Sequence, residues 1–411
     1  MNKRFYYGYV ILFALFILQM VMFSPRSSFG VFIKPITAEF DWSRALVSGA
    51  FSISSIVQGL SGIIMGWIND RIGPRIVLTI CGILVGAGLM LMFLVDSAWQ
   101  LYFFYIIPVG VGMGGLFSPQ MSTVARWFVK RRNIMTAILL AGGGLGAITG
   151  PPLITWLIYT YSWQEAFLFV GAGVLILVIL FAQFLKRDPS QIGQVPFGEG
   201  SEIREIEKRV PANSSGLSLK QAFQTKKFWL FAITIFCFGF CCWTVMVHIV
   251  PLAIDRGISP ATAAIILSVM NGATTAGSIT VGLIADKIGS RRAFFTSIYL
   301  IFAIILLLIP VTSAWLLGVF VIILSLGLGG IAVTQSSMVA ELFGMQSHGA
   351  ILGCTVFTFT LGGASGTFVA GSVFDSTGSY QWVFLLCGVL VVASMIMAVY
   401  LNRIRKTKVL V

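Results

Sequence analysis

The sequence predicts an all-α membrane protein: twelve transmembrane helices in two pseudo-symmetric six-helix bundles. Three observations carry that expectation. Of 411 residues, 57% are hydrophobic and only 10% are charged, whereas a soluble domain carries about 25% charged residues. Twelve apolar stretches are long enough to cross a hydrocarbon core of roughly 30 Å. Three motifs recur in order, about 216 residues apart.

Hydrophobicity and length place the spans at 7–33, 45–68, 76–95, 100–125, 133–159, 164–185, 228–252, 261–284, 292–311, 314–340, 349–373 and 380–402. Both termini then share one side with the loops near Arg71, Lys130, Arg204, Arg291 and His348. That side holds 23 of the 27 Lys and Arg residues, and the other keeps Lys34, Arg44 and Arg256. Because basic loops stay in the cytoplasm, both termini are expected there, in a plasma membrane of the bacterial inner-membrane type. The net charge of +13 is thus read as topology, and nucleic acid is not expected as a partner. Lys3 and Arg4 precede an apolar run as in a signal peptide. That run is too long and lacks a small-residue cleavage site, so it reads as an uncleaved first helix. All six cysteines fall inside spans and read as small packing residues.

Within the first span, "FSPRSSFGVF" (23–32) places Arg26 about nineteen residues into an uncharged helix. An arginine at the bilayer centre costs roughly 2.5–3.5 kcal/mol. Either Arg26 snorkels to the outer interface, or it faces an aqueous cavity and attracts an anion. The helix is expected to continue to Lys34, the natural interfacial residue, before an outer loop "PITAEFDWSR". Pro25 frees a backbone carbonyl beside it, as in the broken helices of transporter sites. A guanidinium binds a carboxylate through two parallel hydrogen bonds.

Residues 186–227, rich in Pro, Gly, Ser and charge, read as a cytoplasmic linker between an N-terminal bundle (1–185) and a C-terminal bundle (228–411). "GWINDRIGPR" (66–75) recurs as "GLIADKIGSR" (282–291). "GMGGLFSPQMSTVARWF" (112–128) recurs as "GLGGIAVTQSSMVAELF" (327–343), and "WQEAF" (163–167) as "YQWVF" (380–384). Such repeats flank a central cavity, and access alternates as one bundle rocks against the other.

The first of these motifs matches G-x-x-x-D-R-x-G-x-R, the signature between the second and third helices of the major facilitator superfamily, and the resemblance covers the whole chain. It implies the major facilitator fold. Asp70 and Asp286 each sit at a tight turn that Gly73 or Gly289 permits. A carboxylate there can face the positive end of a neighbouring helix or pair with a basic residue, Arg126 being the candidate for Asp70. Asp70, Arg75, Arg126, Asp286, Arg292 and Glu341 are therefore the gating candidates, against the plainer view that these charges only fix topology.

"RWFVKRRNIMTAILLAGGGLG" (126–146) resembles the fifth-helix signature of the monocarboxylate transporter family, with Ala141, Gly142 and Gly146 filling its A-G-x-x-x-G pattern. "YYGYVI" (6–11) is similar to that family's opening, and "PRS" (25–27) stands where the family has Pro-Lys-Ser. Bacterial oxalate–formate antiporters are relatives. The resemblance implies transport of a small carboxylate, with lactate or pyruvate favoured. The glycine run has two readings: close helix packing, or an antiporter signature.

Away from resemblance, no acidic residue lies deep in a span, and a buried cation without a protein counter-ion favours an anionic guest. The family's eighth-helix Asp and Arg are missing from 262–285, where Asn271 is the most polar side chain. Arginine does not deprotonate in proteins, so a proton shuttle through Arg26 is not expected. Charge is balanced by a proton carried with the substrate, by exchange, or not at all. His248 is an alternative proton carrier or a plain polar contact. Gln120, Gln335 and Asn271 can line the path or act as interhelical glue, and Phe359 can form an apolar wall. The rival functions are proton-coupled multidrug efflux and exchange of a dicarboxylate such as oxalate. Without a nucleotide motif, metal cluster or nucleophile–base set, neither an enzyme nor a cofactor is expected. The expected partners are the carboxylate, a co-transported proton and the lipid bilayer, around a monomer.

Overall fold

In the computed structural model the described residues are 6–198, 216–307, 313–377 and 379–403. Among them helix dominates, and strand pairing is limited to two isolated bridges, Phe128 with Phe197 and Gly216 with Gly344. Ten helical stretches are long and apolar enough to cross a membrane. Two further helices, Ser290–Leu307 and Gln381–Arg403, bring the described set to twelve.

The chain divides into two compact units: Met1–Gly216 with Gly344–Cys354, and Leu217–Phe343 with Thr355–Val411. The first holds α1 (Gly8–Ser27), α2 (Phe29–Phe40), α3 (Arg44–Ile72), α4 (Pro74–Leu91), α5 (Ala98–Phe104), α6 (Ser118–Trp127), α7 (Arg132–Thr160) and α8 (Trp163–Ala182). The second holds α9 (Leu219–Phe223), α10 (Lys226–Asp255), α11 (Pro260–Ile288), α12 (Ser290–Leu307), α13 (Ala314–Phe343) and α15 (Gln381–Arg403). Between α13 and α15 lies α14 (His348–Thr377), which belongs to the first unit up to Cys354 and to the second from Thr355.

Glycine contacts give the internal repeat a geometric form. Gly142, Gly146 and Gly150 lie one turn apart on α7, against the backbone of α1. A Cβ on Gly146 would stand 2.3 Å from the Met20 carbonyl oxygen, and one on Gly150 2.4 Å from Ser24 Oγ. In the second unit, Gly362 and Gly366 on α14 meet α10, at 2.1 Å from the Phe236 carbonyl oxygen and 2.4 Å from that of Phe240. All four equivalences, 146/362, 150/366, 20/236 and 24/240, fall at an offset of 216 residues. Only glycine lets two helix backbones approach this closely, so packing accounts for the run. The outward surface is apolar: Ile148 is 70% exposed and Phe368 75%. Patches of that kind call for lipid rather than water.

Two expectations need correction. The first span does not end near residue 33; α1 and α2 continue it to Phe40, with a break at Ser28. Lys34 lies inside α2, and the expected outer loop shrinks to Asp41–Ser43. Phe29, Phe32 and Ile36 supply the cause, being buried at helical spacing, with Phe32 stacked 3.8 Å from Phe167. Glu39 anchors the end by accepting from Trp163 Nε1 at 2.5 Å and Gln164 Nε2 at 2.8 Å. Residues 186–198 are likewise not loose linker. Phe197 N–H donates to the Trp127 carbonyl at 2.9 Å, and Lys130 N–H to that of Phe197 at 2.8 Å. Phe197 packs its ring among Tyr6, Tyr9 and Phe128. Aromatic burial and backbone bonds thus outweigh the segment's polar composition.

Candidate functional site

Arg26 lies near the middle of the 33-residue stretch Gly8–Phe40, roughly 27 Å from one end and 21 Å from the other. Its side chain is turned toward a neighbouring helix, α3, rather than along its own helix toward an end. Pro25 precedes it, and Ser28 closes α1 by donating its backbone N–H to the Ser24 carbonyl at 3.2 Å. The guanidinium thus projects from a helix break.

Its surroundings are neutral. Nη1 of Arg26 donates to Gln58 Oε1 on α3. The Phe51 ring centroid lies 5.7 Å from the guanidinium carbon, within cation–π range. Tyr105 is near enough to interact electrostatically, and Phe29 lies between the two aromatics, 4.6 Å from Tyr105 and 5.2 Å from Phe51. Among the described residues Arg26 forms no ion pair with a carboxylate. Tyr105 opens a π-helical turn, Tyr105–Gly110, containing Pro108, and such turns are frequent at functional sites.

Sequence reasoning singled out Arg26 but missed Gln58, Phe51 and Tyr105. A signal for Gln58 existed: it is the one amide in the apolar stretch "FSISSIVQGLSG" (51–62). Phe51, Ser54, Gln58 and Ser61 recur at helical spacing on one face of α3. The second unit offers a control on the fold. At the offset of 216, Arg26 corresponds to Cys242 and Gln58 to Thr274. Since α10 packs on α14 as α1 does on α7, the architecture itself does not require a cation there.

A second cluster surrounds Asp70. Gly73 adopts φ +88° and Gly289 φ +94°, which justifies glycine at both turns. Asp70 is 7% exposed. Arg126 Nη2 donates to its Oδ1 at 3.0 Å, and the N–H groups of Gly349 and Ala350 donate to Oδ1 and Oδ2 at 3.1 and 3.0 Å. The carboxylate therefore caps the start of α14, where the helix dipole favours negative charge. Gly66, one turn earlier, lets Gly349 approach: a Cβ there would stand 2.2 Å from its carbonyl oxygen. Arg126 also reaches Asp188 Oδ1 at 3.4 Å and the Met345 carbonyl at 3.1 Å. Asp188 was not foreseen, because its segment reads as linker.

The remaining candidates lie apart. Arg75 Nε donates to Gln183 Oε1 at 2.8 Å, joining α4 to the end of α8. Gln120 is fully buried, its Nε2 3.5 Å from the Gly115 carbonyl. Gln335 Nε2 donates to Thr355 Oγ1 at 3.0 Å, tying α13 to α14. Both amides thus sit among helices rather than on an open surface. Asn271 is exposed and bonds its own helix at the Leu267 carbonyl, 3.2 Å away. Both ring nitrogens of His248 are engaged, Nδ1 with Tyr380 Oη and Nε2 with the Thr367 carbonyl, each at 3.2 Å. Phe359 packs on Phe238 at 5.2 Å. Asp286 is half-buried, whereas Arg292 and Glu341 are exposed.

Two six-helix units related by an internal repeat, apolar outside and carrying buried polar groups inside, define a multi-pass membrane transporter. The chain belongs to the Major Facilitator Superfamily, whose model matches residues 15–272 and 249–410. It is 27% identical over 394 residues to monocarboxylate transporter 13 of Bos taurus, covering 94% of this chain and 87% of the relative. With the oxalate:formate antiporter of Oxalobacter formigenes it shares 29% identity over 314 residues, 76% of this chain and 70% of the relative. Among solved structures, the E. coli fucose:proton symporter FucP superposes with a TM-score of 0.71 at 14% identity, over 96% of this chain and 99% of that one. That likeness concerns the fold.

Proposed function

We propose that this protein is a secondary transporter of small organic anions, with short-chain monocarboxylates such as lactate or pyruvate as its cargo. One observation carries the proposal: a guanidinium at mid-span, hydrogen-bonded to a neutral amide and ringed by aromatics, with no carboxylate paired to it among the described residues. A carboxylate that docks there gains two charge-assisted hydrogen bonds and removes an uncompensated charge from the membrane interior. Phe29, Phe51 and Tyr105 suit a short apolar tail. The bovine and Oxalobacter relatives, one named for monocarboxylates and the other for oxalate and formate, support an organic anion. A single cation matches a monoanion better than a dianion, which favours monocarboxylate over oxalate.

In this mechanism the cycle runs by alternating access. Asp70 holds the start of α14 through Gly349 and Ala350 while Arg126 neutralises it. Release of that cap frees the start of α14. The basic loops support termini on the cytoplasmic face of a bacterial inner membrane, and the protein acts as a monomer. Arg26 does not titrate, so any coupled proton travels with the substrate or by another route.

The test is uptake of labelled lactate, pyruvate and oxalate into proteoliposomes, with and without an imposed pH gradient. Saturable uptake of a monocarboxylate is expected, faster when the outside is acidic if a proton accompanies the substrate. Export of cationic drugs without uptake of any carboxylate would replace this proposal with efflux.

A further inference from the structure

Gln58 is the one side chain that hydrogen-bonds Arg26 among the described residues. It is 7% exposed and held on α3 by tight packing. Gly110, which ends the π-helical turn, would place a Cβ 3.1 Å from Ser54 Oγ, and Gly114 one 2.4 Å from Ser61 Oγ. Ser61 Oγ in turn donates to the Gln58 carbonyl at 3.1 Å. Ser54 and Ser61 stand one turn to either side of Gln58 on the same helix face. The α3 backbone at Gln58 is therefore fixed, and its amide is aimed at the guanidinium.

An amide oxygen resembles one oxygen of a carboxylate in size and hydrogen-bonding direction, but carries only partial charge. It can satisfy a guanidinium N–H without cancelling the cation. A carboxylate offers the same acceptor twice over with a full negative charge, and the charged bond is roughly twice as strong. We propose that Gln58 is an internal stand-in for the substrate carboxylate. It occupies Arg26 in the empty carrier, must be displaced on loading, and so sets the affinity for monoanions. This rests on the assignment of Arg26 as the anion site.

The chemistry at position 58 makes opposite predictions for two changes of similar volume. Gln58→Glu converts the stand-in into a true counter-ion, which competes with the substrate and closes the site. Gln58→Leu removes the competitor and leaves the guanidinium for the substrate alone. A residue that merely packs would be harmed in the same direction by both.

The experiment measures initial rates of labelled pyruvate uptake into proteoliposomes over a range of concentrations, for the wild type, Gln58→Glu, Gln58→Leu and Arg26→Gln. Size-exclusion profiles and melting temperatures establish that each variant is folded. The expected result is a KM about tenfold lower in Gln58→Leu and uptake reduced by about tenfold or more in Gln58→Glu. Arg26→Gln should be inactive. Should Gln58→Glu fail to fold, the direction of the KM change in Gln58→Leu decides alone. If both Gln58 variants keep the wild-type KM, or shift it in the same direction, while Arg26→Gln is inactive, the stand-in role is overturned and the anion site survives. If Arg26→Gln transports normally, or the wild type moves no pyruvate, the assignment beneath it fails as well.

Discussion

At the scale of single residues, charges in apolar surroundings are the most legible features of this chain. Arg26 was visible because nothing else in residues 7–33 is charged, and Asp70 because it sits in a recognisable turn. Their partners were less so. Gln58 is 32 residues from Arg26, and the pairing depends on how α1 and α3 pack, which periodicity does not encode. Asp70 is a buried acceptor with three donors, so truncating it takes from Arg126 its shorter carboxylate contact and leaves two helix-end amides without their acceptor. Asp70→Ala is expected to cost about 3–5 kcal/mol, read as a lowered melting temperature in detergent; an unchanged melt would mean these bonds are replaced by water. His248 has both nitrogens engaged and packs 5.2 Å from Tyr380, which is the arrangement of a structural contact. His248→Gln should lower thermal stability while leaving the pH profile of uptake intact. A displaced pH profile would make it a proton carrier instead.

Helices were legible where hydrophobicity alone decides them, and less so where tertiary contacts do. The first span outran its expected end because Phe32 and Glu39 find partners on α8. The fourth, expected as one helix, contains a π-helical turn around Pro108 and a 3-10 turn at Met113–Gly115. Residues 186–198 look like linker by composition, yet Phe197 and the backbone bonds around it dock them on the first unit. The glycines are the cleanest case for a test between elements. Gly146 and Gly362 each face a carbonyl oxygen closer than any Cβ tolerates, whereas Gly272 on α11 has open space. Gly146→Val and Gly362→Val should each destabilise by about 1–3 kcal/mol or more through overpacking. Gly272→Ala should be neutral or slightly stabilising, since alanine is the better helix former. Comparable melting temperatures for all three would show that the α1–α7 and α10–α14 contacts are slack.

On the scale of the whole molecule, the repeat made the architecture readable: the offset of about 216 residues between sequence motifs reappears between equivalent helix contacts. What the repeat does not copy is informative in a different way. The fold is served equally well by Arg26 in one unit and Cys242 in the other, so assembly of the fold does not call for a cation at that position. Several neutral candidates, Gln120 and Gln335 among them, fall among packed helices, because an amide in a span looks the same in sequence whether it binds a guest or a neighbouring helix. The decisive measurement is therefore uptake of labelled pyruvate by proteoliposomes containing either the wild type or Arg26→Gln, both shown to be folded. Loss of saturable uptake in the variant is the predicted result. Undiminished transport without the guanidinium would contradict the assignment of Arg26 as the group that captures the anion.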